Sequence, residues 1–389
     1  MKEEVFSKVE AAMEEEGLEA LIVFGYDNIQ YLTGAPLHYP PSYPDRYMAL
    51  FWPRGETPTC ILPHEWERSF LNLSWTNKTR AYTERPGSAG TIVDAILLLV
   101  RETVRKTGTI GIDASRTPAS LYDRLESALG EYQLKPWDMG LRRLRIVKTP
   151  GEARLLEEVA AKTDHALAAQ AHHVLVLQAP GEMSLTENVR VHALERGLDE
   201  VGHHAIAQVV SGENAGKWWP GAPMFGVGYS RVPKHHEWVR MELVATLNGY
   251  WCNGARMLAM GEMTEEQKAD YQKLVTLREV ARRTIKPGAK ASEVYAAVKE
   301  VAMEKGIKLE PHLALGAGVG VSNYEPPYLS AADDTTLEPG MVIVFNPVVH
   351  GSKGELLMNR DTFLVTEEGC RVLGWWKDWR EPFIANYTL

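Results

Sequence analysis

The chain has 389 residues, of which 45% are hydrophobic and 24% charged, a composition typical of a globular protein with room for two domains. Its formal net charge of −9 leaves no basic surplus to neutralise phosphates, which argues against nucleic acid as a main partner. No run of 18 apolar residues predicts a membrane span, and the N-terminal stretch MKEEVFSKVEAAMEEEGLEALIVF lacks the apolar core of a signal peptide. Because the three cysteines are few and scattered, we expect a reducing, cytoplasmic environment.

The first part of the chain alternates strand and helix patterns. Short apolar runs in ALIVFG, YMALFW and TIGIDAS predict strands, and AGTIVDAILLLVRETVRKTG predicts a helix closed by Lys106 and Gly108. This alternation predicts a small α/β domain with a mixed or parallel sheet. Since no Gly-x-Gly-x-x-Gly motif follows the first strand, no dinucleotide site is predicted, and we expect no cofactor.

A domain boundary is predicted near residue 145, where the turn Lys148-Thr149-Pro150-Gly151 precedes a long helical pattern. Helices and β-ribbons then alternate to the C-terminus. The stretch MELVATLNGYWCNGARMLAMG predicts two strands joined by a tight turn. Further helices are predicted in KADYQKLVTLREVARRTI and ASEVYAAVKEVAMEKGI, and strands in GMVIVFNP and RDTFLV.

Five motifs in order carry a resemblance to a known superfamily: LEALIVFGYDNIQYLTGA, RIVKTPGEARLLEE, TIKPGAKASEVYAAV, GAGVGVSNYEPPYLS and LEPGMVIVFNP. The chain resembles the pita-bread superfamily of creatinase, prolidase, aminopeptidase P and methionine aminopeptidase. The resemblance implies a creatinase-type N-terminal α/β domain over residues 1–145. It also implies an α+β pita-bread catalytic domain over residues 146–389.

The resemblance further implies where two divalent metal ions would bind. In the metal-dependent members two Asp, one His and two Glu hold the ions, and here the matching positions carry Glu242, Asn253, Ala317, Asn346 and Arg360. Only one of the five is an anionic ligand. Because a guanidinium stays protonated and repels a divalent ion, no metal site is predicted.

Two members of the superfamily that work without metal, creatinase and ectoine hydrolase, then suggest a function. The leading hypothesis is a metal-independent hydrolase of a C–N bond in a small cationic or zwitterionic substrate. The alternatives are a metal-free lyase and a non-catalytic pita-bread domain, whereas a metal-dependent Xaa-Pro peptidase fits least. The resemblance to creatinase also implies a homodimer.

Four residues are predicted to take part in catalysis. Glu242 could act as a general base or acid, anchor a substrate cation, or form a structural ion pair with Arg256 or Arg360. Arg360 could polarise a carbonyl in place of a metal, or only balance charge. Tyr324 could donate to an oxyanion or simply pack, and Asn346 could help to stabilise the oxyanion or form a hydrogen bond with Asn253.

Six further residues are predicted to bind substrate through aromatic, amide or charged side chains. They are Arg46, Trp218, Trp219, Trp251, Asn253 and Glu325. The alternatives are core packing for the tryptophans, a surface role for Arg46, a hydrogen bond with Asn346 for Asn253 and a turn for Glu325.

Overall fold

The computed structural model describes residues 2–37, 46–83, 91–176, 180–199, 206–217, 231–311, 313–375 and 379–385. The chain forms two compact units, Met1–Arg145 and Ile146–Leu389. None of the helices in the described ranges is long and apolar enough to cross a membrane.

The first unit is a mixed sheet with helices around it. Its helices are α1 (Lys2–Glu15), α2 (Tyr26–Thr33), α3 (Glu67–Leu73), α4 (Ile92–Thr103), α5 (Ala119–Ala128) and α6 (Asp138–Ile146). Its strands are β1 (Ala20–Val23), β2 (Ala49–Pro53), β3 (Thr59–Pro63), β4 (Lys78–Tyr82), β5 (Thr109–Ile112) and β6 (Gln133–Pro136). The strand order is β4-β3-β2-β1-β5-β6, in which β2 runs antiparallel to β1 and β3 and the other pairs are parallel. The sheet is therefore mixed, in agreement with the predicted mixed or parallel sheet.

Helix α4 begins and ends for identifiable reasons. Thr91 and Asp94 form a reciprocal capping box at its start. The helix ends at Thr103, earlier than predicted, because Val104 has an extended backbone and is buried in the core of the unit. Burial of this valine therefore overrides the local helical pattern that runs on to Gly108.

Asp113, at the end of β5, stabilises the start of α2. One of its carboxylate oxygens accepts a hydrogen bond from Phe24 N at 2.8 Å. The other accepts from Gly25 N at 2.7 Å and from Asn28 Nδ2 at 3.2 Å. Because Gly25 is the N-cap residue and has no side chain, this carboxylate supplies polar partners that the helix lacks locally.

The Asp113 carboxyl is expected to make stability depend on pH. Burial raises its pKa to about 6, although the three hydrogen bonds act in the opposite direction. A carboxyl whose folded pKa exceeds its unfolded value contributes stability that is greatest below about pH 4, and this contribution is lost as the pH rises towards 6. Thermal unfolding of the wild type and Asp113→Asn at pH 4, 5 and 6 checks this. The stability of Asp113→Asn should fall less between pH 4 and pH 6 than the stability of the wild type. An equal fall in both proteins would contradict the expectation.

The second unit contains two sheets, a short ribbon and five helices among its described residues. The helices are α7 (Pro150–Val176), α8 (Glu182–Glu195), α9 (Glu213–Lys217), α10 (Glu265–Thr284) and α11 (Ala291–Glu304). One sheet, in the order β17-β9-β8-β7, consists of β7 (Ile206–Ser211), β8 (Trp238–Leu247), β9 (Tyr250–Met260) and β17 (Phe383–Ala385). The other, in the order β11-β10-β12-β15-β16, consists of β10 (Gly316–Gly318), β11 (Glu325–Tyr328), β12 (Val342–Phe345), β15 (Asp361–Val365) and β16 (Cys370–Val372). The ribbon pairs β13 (Val349–His350) with β14 (Leu356–Leu357).

The long hairpin β8–β9 follows from its turn sequence. Asn248 and Gly249 have φ angles of 49° and 73°, as a two-residue turn of type I′ requires. This turn fixes the register, in which Leu247 lies opposite Tyr250 and Glu242 opposite Ala255. Helix α7 packs against both strands of the hairpin.

Candidate functional site

Two positions of the site lie on one face of the β8–β9 hairpin. Glu242 lies directly opposite Ala255, so the two side chains share a face of the sheet. Asn253 is two residues from Ala255 and therefore points to the same side. The face opposite to this one packs on α7, since a side chain at Gly254 would meet Thr163 of that helix.

The remaining positions lie on one face of the second sheet. Ala317 is paired with Val344, and Asn346 follows two residues after Val344 on the same face. Arg360 precedes β15 and lies next to Asn346, to which its Nε donates at 2.9 Å. The backbone N–H of Arg360 donates to the carbonyl of Ala255 at 3.1 Å, which joins this sheet to the hairpin. Chain segments distant in sequence thus converge at one place.

A buried ion pair network occupies this place. Glu242 is 0% exposed, and its Oε1 accepts from Arg240 Nε at 2.9 Å. Its Oε2 lies 3.0 Å from Nη2 of Arg360, which is also buried. Oε1 is thus hydrogen-bonded to one arginine, whereas Oε2 is paired with the other by charge alone and makes no hydrogen bond among the described residues. Glu242 therefore lies between two guanidinium groups. Arg240, Glu242, Asn346 and Arg360, with Gln208, are called the polar cluster.

Arg240 was not among the residues selected from the sequence. Its Nη1 donates to the carbonyls of Ala215 and Leu356 at 2.8 and 2.9 Å. Burial lowers the pKa of this guanidinium from its ordinary value, and the charge of Glu242 acts in the opposite direction. An Arg-x-Glu spacing in a strand places both side chains on one face, and this signal could have found it.

Gln208, also missed, is the second addition to the cluster. It lies opposite Glu242 in the β7–β8 pairing and is 0% exposed. Within the described ranges neither its Oε1 nor its Nε2 has a hydrogen-bond partner, and the same holds for Nη1 of Arg360. A buried donor or acceptor without a partner is costly, so such atoms are candidates for contact with a ligand. A single amide within the apolar strand IAQVVS is the sequence signal.

A second ion pair network lies behind the first and supports it. Arg256, one of the two partners predicted for Glu242, points instead to the α7 face, where its Nη2 lies 2.8 Å from Asp164. Its guanidinium stacks 3.9 Å above the ring of Trp379. Asp361 lies 3.4 Å from Arg256 and 2.5 Å from Arg278. Asp361, the residue that follows Arg360, is therefore held in place by ion pairs with Arg256 and Arg278.

Two of the predicted substrate-binding residues form hydrogen bonds with a neighbouring loop. The side chain of Asn253, which is 2% exposed, donates to the side chain of Asn323. Trp251 Nε1 donates to the carbonyl of Val321 at 3.1 Å. Both contacts tie β9 to the loop before β11, and they favour a structural role for these two side chains.

The other predicted residues are dispersed. Glu325 lies 2.7 Å from Lys148 in a buried ion pair, so this carboxylate already has a cationic partner. Tyr324 is 49% exposed, unlike the buried cluster. Arg46 belongs to the first unit, where it pairs with Glu65. Trp218 and Trp219 lie outside the described residues.

The side chains at the five ligand positions do not fit two divalent ions. They are one carboxylate, two amides, a methyl group and a guanidinium, and the carboxylate of Glu242 is already paired with Arg360. No group of three or more His, Cys, Asp or Glu residues suited to a metal ion occurs in the part of the chain that the structure describes. No catalytic step through a metal is therefore derived for this chain.

Comparison with known proteins identifies the family. Residues 154–367 match the model of metallopeptidase family M24, and residues 6–147 match that of the creatinase/prolidase N-terminal domain. The chain belongs to metallopeptidase family M24. This membership confirms the predicted fold class and makes the chain a hydrolase that acts on C–N bonds.

Several relatives of this M24 chain are similar over most of their length. A Bacillus subtilis protein named as a dipeptidase, YkvY, is 23% identical over 94% of this chain and 96% of its own. The Xaa-Pro dipeptidase of Pyrococcus furiosus is 26% identical over 70% of this chain and 76% of its own. The crystal structure of dipeptidase PepE from Mycobacterium ulcerans superposes with a TM-score of 0.79 at 22% identity, covering 98% of this chain and 97% of that one.

These comparisons correct the predicted function. The hypothesis of a creatinase-like, metal-independent hydrolase is wrong as an assignment within the family, because the relatives are named as dipeptidases in a family of metallopeptidases. The names agree instead with the alternative that fitted least, a metal-dependent Xaa-Pro peptidase. The reason for the error is that five ligand positions were given more weight than the remainder of the chain. Loss of those ligands does not distinguish one branch of the family from another.

Proposed function

We propose that this M24 chain hydrolyses the peptide bond of small peptides of dipeptide size, with the polar cluster at the reacting bond. Nη1 of Arg360 is the observation that carries the proposal. It is a buried cationic donor without a hydrogen-bond partner among the described residues. By the resemblance, its residue occupies the position of a metal ligand in the metal-dependent members of the family. The names of the relatives support the substrate class.

Arg360 is suited to polarise the carbonyl of the scissile bond. A fixed and buried guanidinium stabilises the negative charge that develops on a carbonyl oxygen during attack by water. Since the other two nitrogen atoms of the side chain are held by Asn346 and Glu242, the direction of Nη1 is set before substrate binds. Arg360 is the catalytic residue in this proposal.

Glu242 and Asn346 are positioning residues that act through Arg360. Glu242 is held in turn by Arg240, and Arg240 by two backbone carbonyls, so the arrangement is anchored to the strands of the sheet. Such preorganisation avoids the cost of reorienting dipoles during the reaction.

Hydrolysis of a dipeptide panel tests the proposal. The purified protein is incubated with dipeptides that do and do not contain proline at the second position, and released amino acids are measured by chromatography and mass spectrometry. Parallel assays with Mn²⁺ and with a chelator make the outcome independent of any metal requirement. We expect cleavage of at least one dipeptide, and no turnover of creatine or ectoine.

A mock purification from cells without the gene controls for host peptidases. If no dipeptide in the panel is cleaved faster than in this mock sample, the proposed function is contradicted.

A further inference from the structure

Gln208 is the residue of the polar cluster whose chemistry the proposed function does not use. Its side chain carries a donor nitrogen with two N–H groups and an acceptor oxygen, both fully buried and both without a hydrogen-bond partner among the described residues. The neighbour across the strand, Glu242, is bound to Arg240 and Arg360 instead. The amide therefore costs stability in the free protein, and a structural role does not explain it.

The position of Gln208 places this amide beside the group proposed to hold the scissile carbonyl. Directly opposed residues of an antiparallel pair have Cβ atoms about 4.5–5.5 Å apart, and Gln208 is opposed to Glu242. Glu242 in turn lies 3.0 Å from Arg360. A substrate whose carbonyl oxygen contacts Arg360 thus has its next atoms within the reach of a glutamine side chain.

A side-chain amide matches a substrate group that presents an N–H and an oxygen side by side. In a dipeptide the N–H of the scissile bond and the C-terminal carboxylate belong to the same residue and are separated by a single Cα atom. Gln208 Oε1 can accept from that N–H while Nε2 donates to the carboxylate. A peptide bond to proline or to N-methylglycine has no N–H, so it would leave Oε1 buried and unpaired.

We propose that Gln208 is a specificity-determining residue that selects dipeptides whose scissile bond carries an N–H, against those with proline or an N-methylated residue in second place. The inference rests on the proposed dipeptide hydrolysis. It separates this chain from relatives that are named for Xaa-Pro substrates. A site built to hydrogen-bond a substrate N–H rejects the analogue that lacks it, because buried polar groups are then left without partners.

Two substrates, each measured with the wild type and with one variant, test the inference. The rate constant kcat/KM is measured for an Xaa-Gly dipeptide and for the same dipeptide with N-methylglycine, using the wild type and Gln208→Met. We expect the wild type to prefer Xaa-Gly by about 10- to 100-fold, and Gln208→Met to lose most of that preference. Methionine keeps the length of the side chain and removes both polar atoms of the amide. A change in the ratio of the two kcat/KM values therefore measures the contribution of the amide to substrate preference.

The thermal stability of the free protein provides a readout without substrate. Because the amide of Gln208 is unpaired, Gln208→Met should unfold at the same or a higher temperature than the wild type. An unchanged substrate ratio in an active, folded Gln208→Met protein overturns the inference but leaves dipeptide hydrolysis standing. If the wild type cleaves neither of these dipeptides but does cleave an Xaa-Pro dipeptide of the panel, the inference is overturned and the proposed function stands. If it cleaves no dipeptide of the panel, the proposed function is overturned, and the inference with it.

Discussion

Glu242→Gln is expected to lower the free energy of unfolding by about 3–5 kcal/mol, the usual cost of removing one partner from a buried ion pair. Glutamine keeps the shape of the side chain but leaves the Arg240 and Arg360 guanidinium groups buried without a carboxylate between them. One amide nitrogen would also face an arginine donor. Chemical denaturation followed by circular dichroism measures the change.

Glu157→Gln provides the matched control for this variant. Glu157 also binds an arginine, with both oxygens within 3.0 Å of Arg371, but both side chains are more than one third exposed. Exposed pairs of this kind contribute about 1 kcal/mol or less. If Glu242→Gln costs no more than Glu157→Gln, the ion pairs of Glu242 do not stabilise the fold as a buried pair should.

Asp361→Asn should destabilise the protein by about 3 kcal/mol, at the lower end of the range for a broken buried pair. Its carboxylate lies between Arg278 and Arg256, and the amide would lose the charge that both guanidinium groups face. The cost is limited because Arg256 keeps its contact with Asp164. Denaturant titration again gives the value.

Asp334→Asn is the corresponding surface control. Asp334 lies 3.9 Å from Lys290 and is largely exposed, so its replacement is expected to change stability by less than about 1 kcal/mol. Equal effects of Asp361→Asn and Asp334→Asn would show that the second network contributes little to the fold.

The fold could be predicted from the sequence because its patterns are local and strong. Asn248-Gly249 between two apolar runs specifies a hairpin, and the apolar spacing of residues 265–284 and 291–304 specifies two helices. The order of five motifs then implied the order of the two domains along the chain.

The side-chain pairings within the site were harder to predict from the sequence than the fold. The sequence suggested that Glu242 pairs with Arg256 or Arg360, and the alternation of side chains along β9 shows why only one of them can reach it. Asn253 and Ala255 face the cluster, so Arg256 faces α7. Strand direction and register, rather than residue type, decide such pairings.

The pairing of Glu325 with Lys148 could not be derived from the sequence at all. The two residues are 177 positions apart, and nothing in their local patterns relates them. Contacts between segments this distant depend on the packing of the whole unit. Glu325 was therefore assigned to substrate binding from its place in a motif, without knowledge of its ion pair with Lys148.

The most direct test of the account is the effect of Arg360→Met on kcat/KM for the best dipeptide of the panel, with Arg371→Met as the matched exposed control. Loss of a buried charged hydrogen bond to the reacting group costs about 2–5 kcal/mol, so kcat/KM should fall by at least about 30-fold. Both proteins are first shown to be folded by circular dichroism. A folded Arg360→Met protein whose kcat/KM stays within about twofold of the wild type would contradict the central role of Arg360.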